Sequence, residues 1–334
     1  MEGPLVSVVV TTYNQEQYIE DALRSVLAQS FTDYEVVVVD DGSTDGTAER
    51  LAAFNDAVRL IRQPNKGIAD SRNTGVSHAQ GQYIAFLDGD DIWHEEKLAI
   101  QVRAAQEHPG SGLIAVDGIQ FSDDGTVLSH TLFTRGILGE TVGTQEVYMQ
   151  LLQAPLIWTV SQVMVPAAVL RSIGPSDSRF PRASDYDLYL RIARRYPFTL
   201  VRRSLVRWRY SATSASGPQE LRGMRYLAEN IQIAKKNAHQ ADPGSRKQIQ
   251  AVVAEKVHWG ARRLYQYGRS VGDRPFATRG LLGLLGQHPT SLWVTVYLVA
   301  LWTPPCVTNY VVPRLRALRD ATASACSHRR VRQL

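Results

Sequence analysis

The run QYIAFLDGDD, residues 82–91, passes from apolar residues to three carboxylates, Asp88, Asp90 and Asp91, within four positions. A short apolar stretch that stops at such a cluster reads as a buried strand whose carboxyl end opens onto a polar loop. Like charges set that closely repel, and a bound Mg²⁺ or Mn²⁺ would offset the repulsion, because hard cations take oxygen donors and share their remaining positions with water and phosphate. A solvated acidic turn is the plain alternative, since Asp and Gly are ordinary turn residues.

The same pattern recurs on the amino-terminal side. LVSVVVTT (residues 5–12), YEVVVVD (34–40) and VRLIR (58–62) are strand runs rich in β-branched residues. Between them, Ile19, Ala22, Leu23, Val26 and Leu27 fall at helical spacing, residues 44–55 continue as a helix, and GIADSRNTGVSHA (67–79) reads as a third. Strands separated by helices predict βαβ units and a mostly parallel sheet, an α/β architecture. Ligands of such sheets bind at the carboxyl ends of the strands. The polar clusters at residues 11–16, 40–45 and 88–91 should therefore share one rim.

Farther along, residues 95–107 read as a helix that ends at HPGSG, and LIAVDGIQF with TVLSH, joined by SDDG, as a hairpin. Residues 140–215 mix short elements, and from about residue 219 the pattern is mainly helical. We place a domain boundary near residue 215, with residues 216–334 as a helical carboxyl-terminal extension. The apolar segment SLWVTVYLVALW (291–302) is halted by TPP short of the roughly 20 residues that span a bilayer. It reads as a core helix or as an interfacial one with Trp293 and Trp302 at headgroup depth.

With 334 residues, 44% hydrophobic and 21% charged, and a mean hydropathy of -0.20, the composition excludes a disordered or multi-span membrane chain. The net charge of +5 is concentrated late: residues 314–334 hold six Arg against one Asp, which suits an anionic lipid surface or a solvated tail. No nucleic-acid reading module is present. Cys306 and Cys326 have no metal-ligand spacing, and the opening MEGPLVSVVV lacks the basic segment of a secretory signal, so a cytoplasmic location is expected, with peripheral membrane contact through the extension.

VSVVVTTYNQEQYIEDALRSVLAQSFTDYEVVVVDDGSTDGT, NKGIADSRNTGVSHAQGQYIAFLDGDDIW and SDYDLYLRIA occur in the order and spacing of the inverting glycosyltransferase family 2, of GT-A fold, which residues 5–215 resemble. That resemblance implies nucleotide-sugar binding by about residues 1–105 and an acceptor side at about 106–215, in bacterial surface polysaccharide assembly. It assigns base and ribose contacts to Thr11, Tyr13, Glu16, Asp40 and Asp41, and a nucleotide or diphosphate contact to Arg72. A carboxylate can accept the imide N–H of uracil and an aromatic ring can cover a base face, so a UDP-sugar donor is expected. Lys66 and free N–H groups at Gly67 would add to a phosphate site.

Asp90 is implied as the direct metal ligand, with Asp88 beside it orienting ribose or a metal-bound water. Asp185, at the start of a helix, maps onto the general base that deprotonates the acceptor hydroxyl, although a helix-capping role is the plain alternative. Asp187 lies about 200° around that helix and should not share the pocket. Two departures stand out: Ser184 replaces a Glu, and Ser211 stands near an expected His. The acceptor would be a glycan or a lipid-linked glycan. A nucleotidyltransferase is disfavoured because TTYNQEQ contains no Gly, Lys or Arg to cradle phosphate. A non-catalytic GT-A protein organising an assembly complex is the alternative from another class.

Overall fold

The computed structural model describes residues 3–131, 141–153, 156–211, 220–240, 243–270, 274–287 and 291–302. The expected alternation forms at the amino-terminal end: β1 (Val6–Thr12), α1 (Ile19–Leu27), β2 (Tyr34–Asp40), α2 (Thr47–Ala52), β3 (Arg59–Arg62), α3 (Ile68–His78) and β4 (Tyr83–Asp88). Then follow β5 (Ile92–Trp93), α4 (Lys97–Glu107), β6 (Leu113–Ser122), β7 (Val127–Ser129), β8 (Thr141–Val142), α5 (Thr144–Gln153), β9 (Val163–Pro166), α6 (Ala167–Ile173), α7 (Ser184–Ala193) and β10 (Phe198–Tyr210). Four helices complete the described residues: α8 (Glu220–Gln240), α9 (Pro243–Ser270), α10 (Arg274–Gln287) and α11 (Leu292–Trp302).

One sheet runs β3-β2-β1-β4-β9-β6-β10-β5. Its first four strands are parallel, β9 is antiparallel to both its neighbours, and β10 returns parallel to β6. The sheet is thus mixed in its second half, where β9, reached only after several intervening elements, inserts between β4 and β6. The expected hairpin is present as β6 and β7. Registers Thr12 with Asp40 and Thr11 with Asp88 bring the three polar clusters to one rim, at the point where the order reverses around β1.

Alternation along the strands divides the core. Val8, Val10, Val36, Val38, Ala85 and Leu87 pack with Ile19, Leu23, Leu51, Leu98 and Val102 from α1, α2 and α4. Burying each such side chain contributes about 1.5–3 kcal/mol. The other face receives α3, whose Gly75 leaves no room for a Cβ against the Val9 side chain. That close approach sets where α3 delivers its polar residues.

A buried polar ladder fixes the turn Val160–Gln162 ahead of β9. Lys97 Nζ donates to Gln101 Oε1 at 2.7 Å, Gln101 Nε2 donates to the carbonyls of Ile114 and Gln162, and Gln162 Nε2 donates to that of Val116. Lys97 is fully buried, with Nζ 3.6 Å from the centroid of the Trp93 ring.

The chain divides into two compact units, Met1–Ile233 and Ala234–Leu334. The boundary expected near residue 215 lies outside the described residues, as do Cys306, Cys326 and the Arg-rich tail. In the second unit α11 buries Val294, Tyr297 and Leu301 and exposes Leu292, Val299 and Trp302. Among the described residues no helix is long and apolar enough to cross a membrane.

Burial drives the Lys97 ammonium well below its ordinary value. The unfolded chain keeps that proton up to about pH 10.4, so it binds more protons than the folded chain between the two values and stability rises with pH there. Urea denaturation between neutral pH and about pH 10 should show this rise. Lys97→Met should flatten it; an unchanged slope would refute the assignment.

Candidate active site

At the switch point, Arg72 reaches from α3 to Asp88 at the end of β4. Its Nη2 lies 2.9 Å from Asp88 Oδ1 and 3.2 Å from Oδ2, and Thr11 Oγ1 is 3.4 Å from Oδ1. Burial works against the Arg72 charge, but the fields of Asp88 and Asp185 outweigh it and hold the guanidinium charged. The structure therefore brings Thr11, Arg72, Asp88 and Asp185 into one electrostatic cluster. Arg72 Nε is buried without a partner among the described residues, as are Thr12 Oγ1 and Gln15 Oε1.

The three carboxylates of DGDD have separate tasks. Asp91 is fully buried and accepts from Ser161 Oγ (2.6 Å), Thr159 Oγ1 (2.9 Å) and the Arg209 backbone N–H (2.9 Å). It ties β4 to β10 and the Val160–Gln162 turn, so it is not a cation ligand. Asp90 is partly buried. Burial and the charge of Asp88 push its carboxyl up to about 7, with Gln15 and the nearby Arg209 opposing. A carboxyl at that value, with the unpartnered Gln15 oxygen beside it, fits a hard cation better than a closed hydrogen-bond network. Among the described residues no group of three His, Cys, Asp or Glu is gathered for a metal. Any cation here would hold to Asp90 and Asp88 and depend on substrate oxygens and water for the rest of its shell. A Cβ at Gly89 would crowd Thr12 and displace the Gln15 side-chain oxygen.

Arg209, which the motifs do not single out, fixes this loop. Its Nε donates to the Asp90 carbonyl at 3.0 Å, and its guanidinium lies 4.5 Å from the Tyr18 ring centroid and 4.6 Å from that of Phe121. Its position two residues before Ser211 was the available signal. Ser211 itself is buried and hydrogen-bonded to the Tyr18 phenol.

The other nucleotide-side residues are less free than expected. Tyr13 is exposed at the end of β1, available to cover a base. Glu16 accepts from the Gly46 N–H, and Asp40 is buried, accepting from the Ser43 N–H and pairing with Arg62. Asp41 accepts from Gln63 Nε2 (2.7 Å) and the N–H groups of Lys66 (3.0 Å) and Gly67 (2.8 Å). The N–H group expected to be open at Gly67, with that of Lys66, is thus occupied by the protein's own carboxylate, and the Lys66 side chain stays exposed.

Asp185 opens α7 and accepts from the Tyr186 N–H at 2.7 Å. Burial raises its carboxyl above the ordinary value, while the Arg72 charge pulls it down. Asp187 is turned away, paired with Arg191 at 2.8 Å. Ser184 is buried, and a carboxylate from α8 caps the segment leading into α7: Glu229 Oε2 accepts from the N–H groups of Arg182 and Ala183, both at 2.9 Å. No local motif could reveal a partner about 45 residues away. Tyr189, whose buried hydroxyl has no partner among the described residues, is driven up by burial and then by Asp185.

Residues 7–155 match the model of Glycosyl transferase family 2. This domain belongs to that family. A relative from Escherichia coli, UDP-Glc:alpha-D-GlcNAc-diphosphoundecaprenol beta-1,3-glucosyltransferase WfgD, is 40% identical over 104 residues, 30% of this chain and 41% of that protein. An uncharacterized glycosyltransferase from Rickettsia felis is 28% identical over 64% of this chain and 35% of its own length. The chain thus spans less than half the length of either relative. Among solved structures, S. aureus TarS 1-349 in complex with UDP-GlcNAc superposes with a TM-score of 0.60 at 19% identity, covering 84% of this chain and 80% of TarS 1-349. The family 2 domain thus has the α/β GT-A fold.

Glu229→Ala should cost about 1–3 kcal/mol by leaving two N–H groups unpaired. Glu229→Gln should retain most of the stability, because an amide oxygen still accepts. Urea denaturation of the two variants separates them, and equal losses would refute the capping role.

Proposed function

We propose that the chain is a metal-dependent, inverting hexosyltransferase that moves a sugar from a UDP-sugar to a glycan or lipid-linked acceptor in bacterial surface polysaccharide assembly. The observation that carries this reading is the meeting of Arg72, Asp88 and Asp185 at the switch point, with Asp90 two residues away. The activity named for the Escherichia coli relative supports the UDP-sugar and lipid-linked choices.

In this reading Asp185 is the base. Its carboxylate takes the acceptor proton as the hydroxyl oxygen attacks the anomeric carbon. The bond to the diphosphate breaks on the opposite face, which inverts the centre and requires no covalent enzyme intermediate. Arg72 keeps Asp185 ionised against its burial and holds Asp88 in place. Asp90 and Asp88 would hold Mg²⁺ or Mn²⁺, which supplies Lewis-acid neutralisation of the departing diphosphate. Thr11 and Tyr13 line the donor side. The cytoplasmic location and a peripheral membrane contact belong to the same proposal, the latter supported by the exposed Leu292, Val299 and Trp302 of α11.

Calorimetry with UDP should give binding that requires Mn²⁺ and is lost in Asp90→Ala. Absence of binding to any nucleoside diphosphate by the folded protein would favour the non-catalytic alternative. Asp185→Asn should abolish transfer and leave UDP affinity nearly intact; substantial residual transfer excludes Asp185 as the base.

A base must be deprotonated to act, and Asp185 loses its proton at a higher pH than an ordinary carboxyl. Transfer should therefore fall with decreasing pH through a limb lying above about pH 4. A limb at or below the ordinary carboxylate value would contradict the burial argument.

A further inference from the structure

Trp158 is half exposed, and its ring is the outer member of an aromatic row that the donor chemistry does not use. The Trp158 and Trp208 centroids are 6.1 Å apart with planes at 45°, and Tyr210 meets Trp208 edge-on at 6.4 Å and 74°. Trp208 is therefore held between two rings, which gives the row a fixed shape at little entropic cost.

Its position follows from the residues beside it. Thr159, next to Trp158, donates to Asp91; Arg209, between Trp208 and Tyr210, donates to Asp91 and to the Asp90 carbonyl. The row is thus anchored to the DGDD loop through backbone neighbours. Alternation along β10 gives its direction. Arg207 and Arg209 both cover Phe121, and Arg209 also covers Tyr18, on the side of the sheet that carries α1. Trp208 and Tyr210 project from the opposite side. On β4, Leu87 packs with α1 and so Asp88 turns the other way, toward Arg72 and Asp185. The aromatic row and the base occupy the same face of the same rim.

Strand order separates this row from the nucleotide. β1, which Tyr13 follows, lies on one side of β4, whereas β10 pairs with β6 and with β5 directly after the DGDD loop. The row therefore adjoins that loop in the half of the sheet away from Tyr13, on the acceptor side. A pyranose ring offers an apolar C–H face with a polar rim, which suits an exposed indole beside charged and hydroxyl groups. The ring cannot enter between the two tryptophans, because that would need about two contact distances of 3.5–4.0 Å. It would stack on the free face of Trp158.

We propose that Trp158, backed by Trp208 and Tyr210, is an acceptor subsite that stacks one neutral pyranose ring of the growing glycan. This rests on the transferase reading, and the test separates the two. Wild type, Trp158→Ala and Trp158→Phe are applied to an array of neutral gluco-, galacto-, manno- and N-acetylglucosamine oligosaccharides, with UDP calorimetry in parallel. Wild type should be retained by a subset of the glycans, Trp158→Ala should bind them about tenfold more weakly, and Trp158→Phe should recover part of the loss. UDP affinity should be the same in all three. No retention of wild type, or equal retention of Trp158→Ala, overturns the subsite. Glycan binding that depends on Trp158 in a protein that binds no UDP would keep the subsite and overturn the donor assignment.

Discussion

A guanidinium cannot shed its charge on burial, so Arg72 must be surrounded by negative partners wherever the fold places it. Asp88 supplies both oxygens and Asp185 adds its field. That single requirement links α3, the end of β4 and the start of α7, three segments far apart in sequence. It also explains why Gly75 matters although it touches no polar group: the depth to which α3 sinks onto β1 decides whether Arg72 reaches Asp88. The family 2 domain thus links the end of β4 to the start of α7 through one buried cation.

Electrostatic repulsion within FLDGDD is resolved by dividing the residues among different neighbours. Asp88 is matched by Arg72, and Asp91 is drawn into hydroxyl and backbone donors. Burial and neighbouring carboxylates raise both Asp90 and Asp91, but only Asp90 lies near an unpartnered oxygen, that of Gln15, among the described residues. Asp91 is closed off by its donors, so the demand left open in the loop lies at Asp90, where in the proposed reading a diphosphate and its counter-ion would arrive.

The first hundred residues were legible because their apolar runs are short, β-branched and separated by helical stripes, and the rim positions of Thr11, Asp40 and Asp88 followed from strand ends alone. The second half was not, because β9 runs antiparallel between β4 and β6 and no local pattern reports which strands it will join. Side-chain roles divided in the same way. The structure brings Arg72, Asp88 and Asp185 together, whereas Asp91, one of the three clustered carboxylates, is a tie between strands. Glu229 and Arg209 act through backbone groups remote in sequence, a kind of contact that periodicity does not encode.

Asp41 has a consequence for selectivity. A helix start with open N–H groups attracts any small anion, and free phosphate would compete there with a nucleotide. By engaging the N–H groups of Lys66 and Gly67, just ahead of α3, with its own carboxylate, the protein withdraws two donors from that trap. In the proposed reading a diphosphate would be recognised through the groups around Asp90 and Arg72, which an isolated phosphate, lacking a base and a sugar to anchor it along the rim, would satisfy poorly. Asp41 would then weaken the commonest inorganic competitor at this edge of the rim.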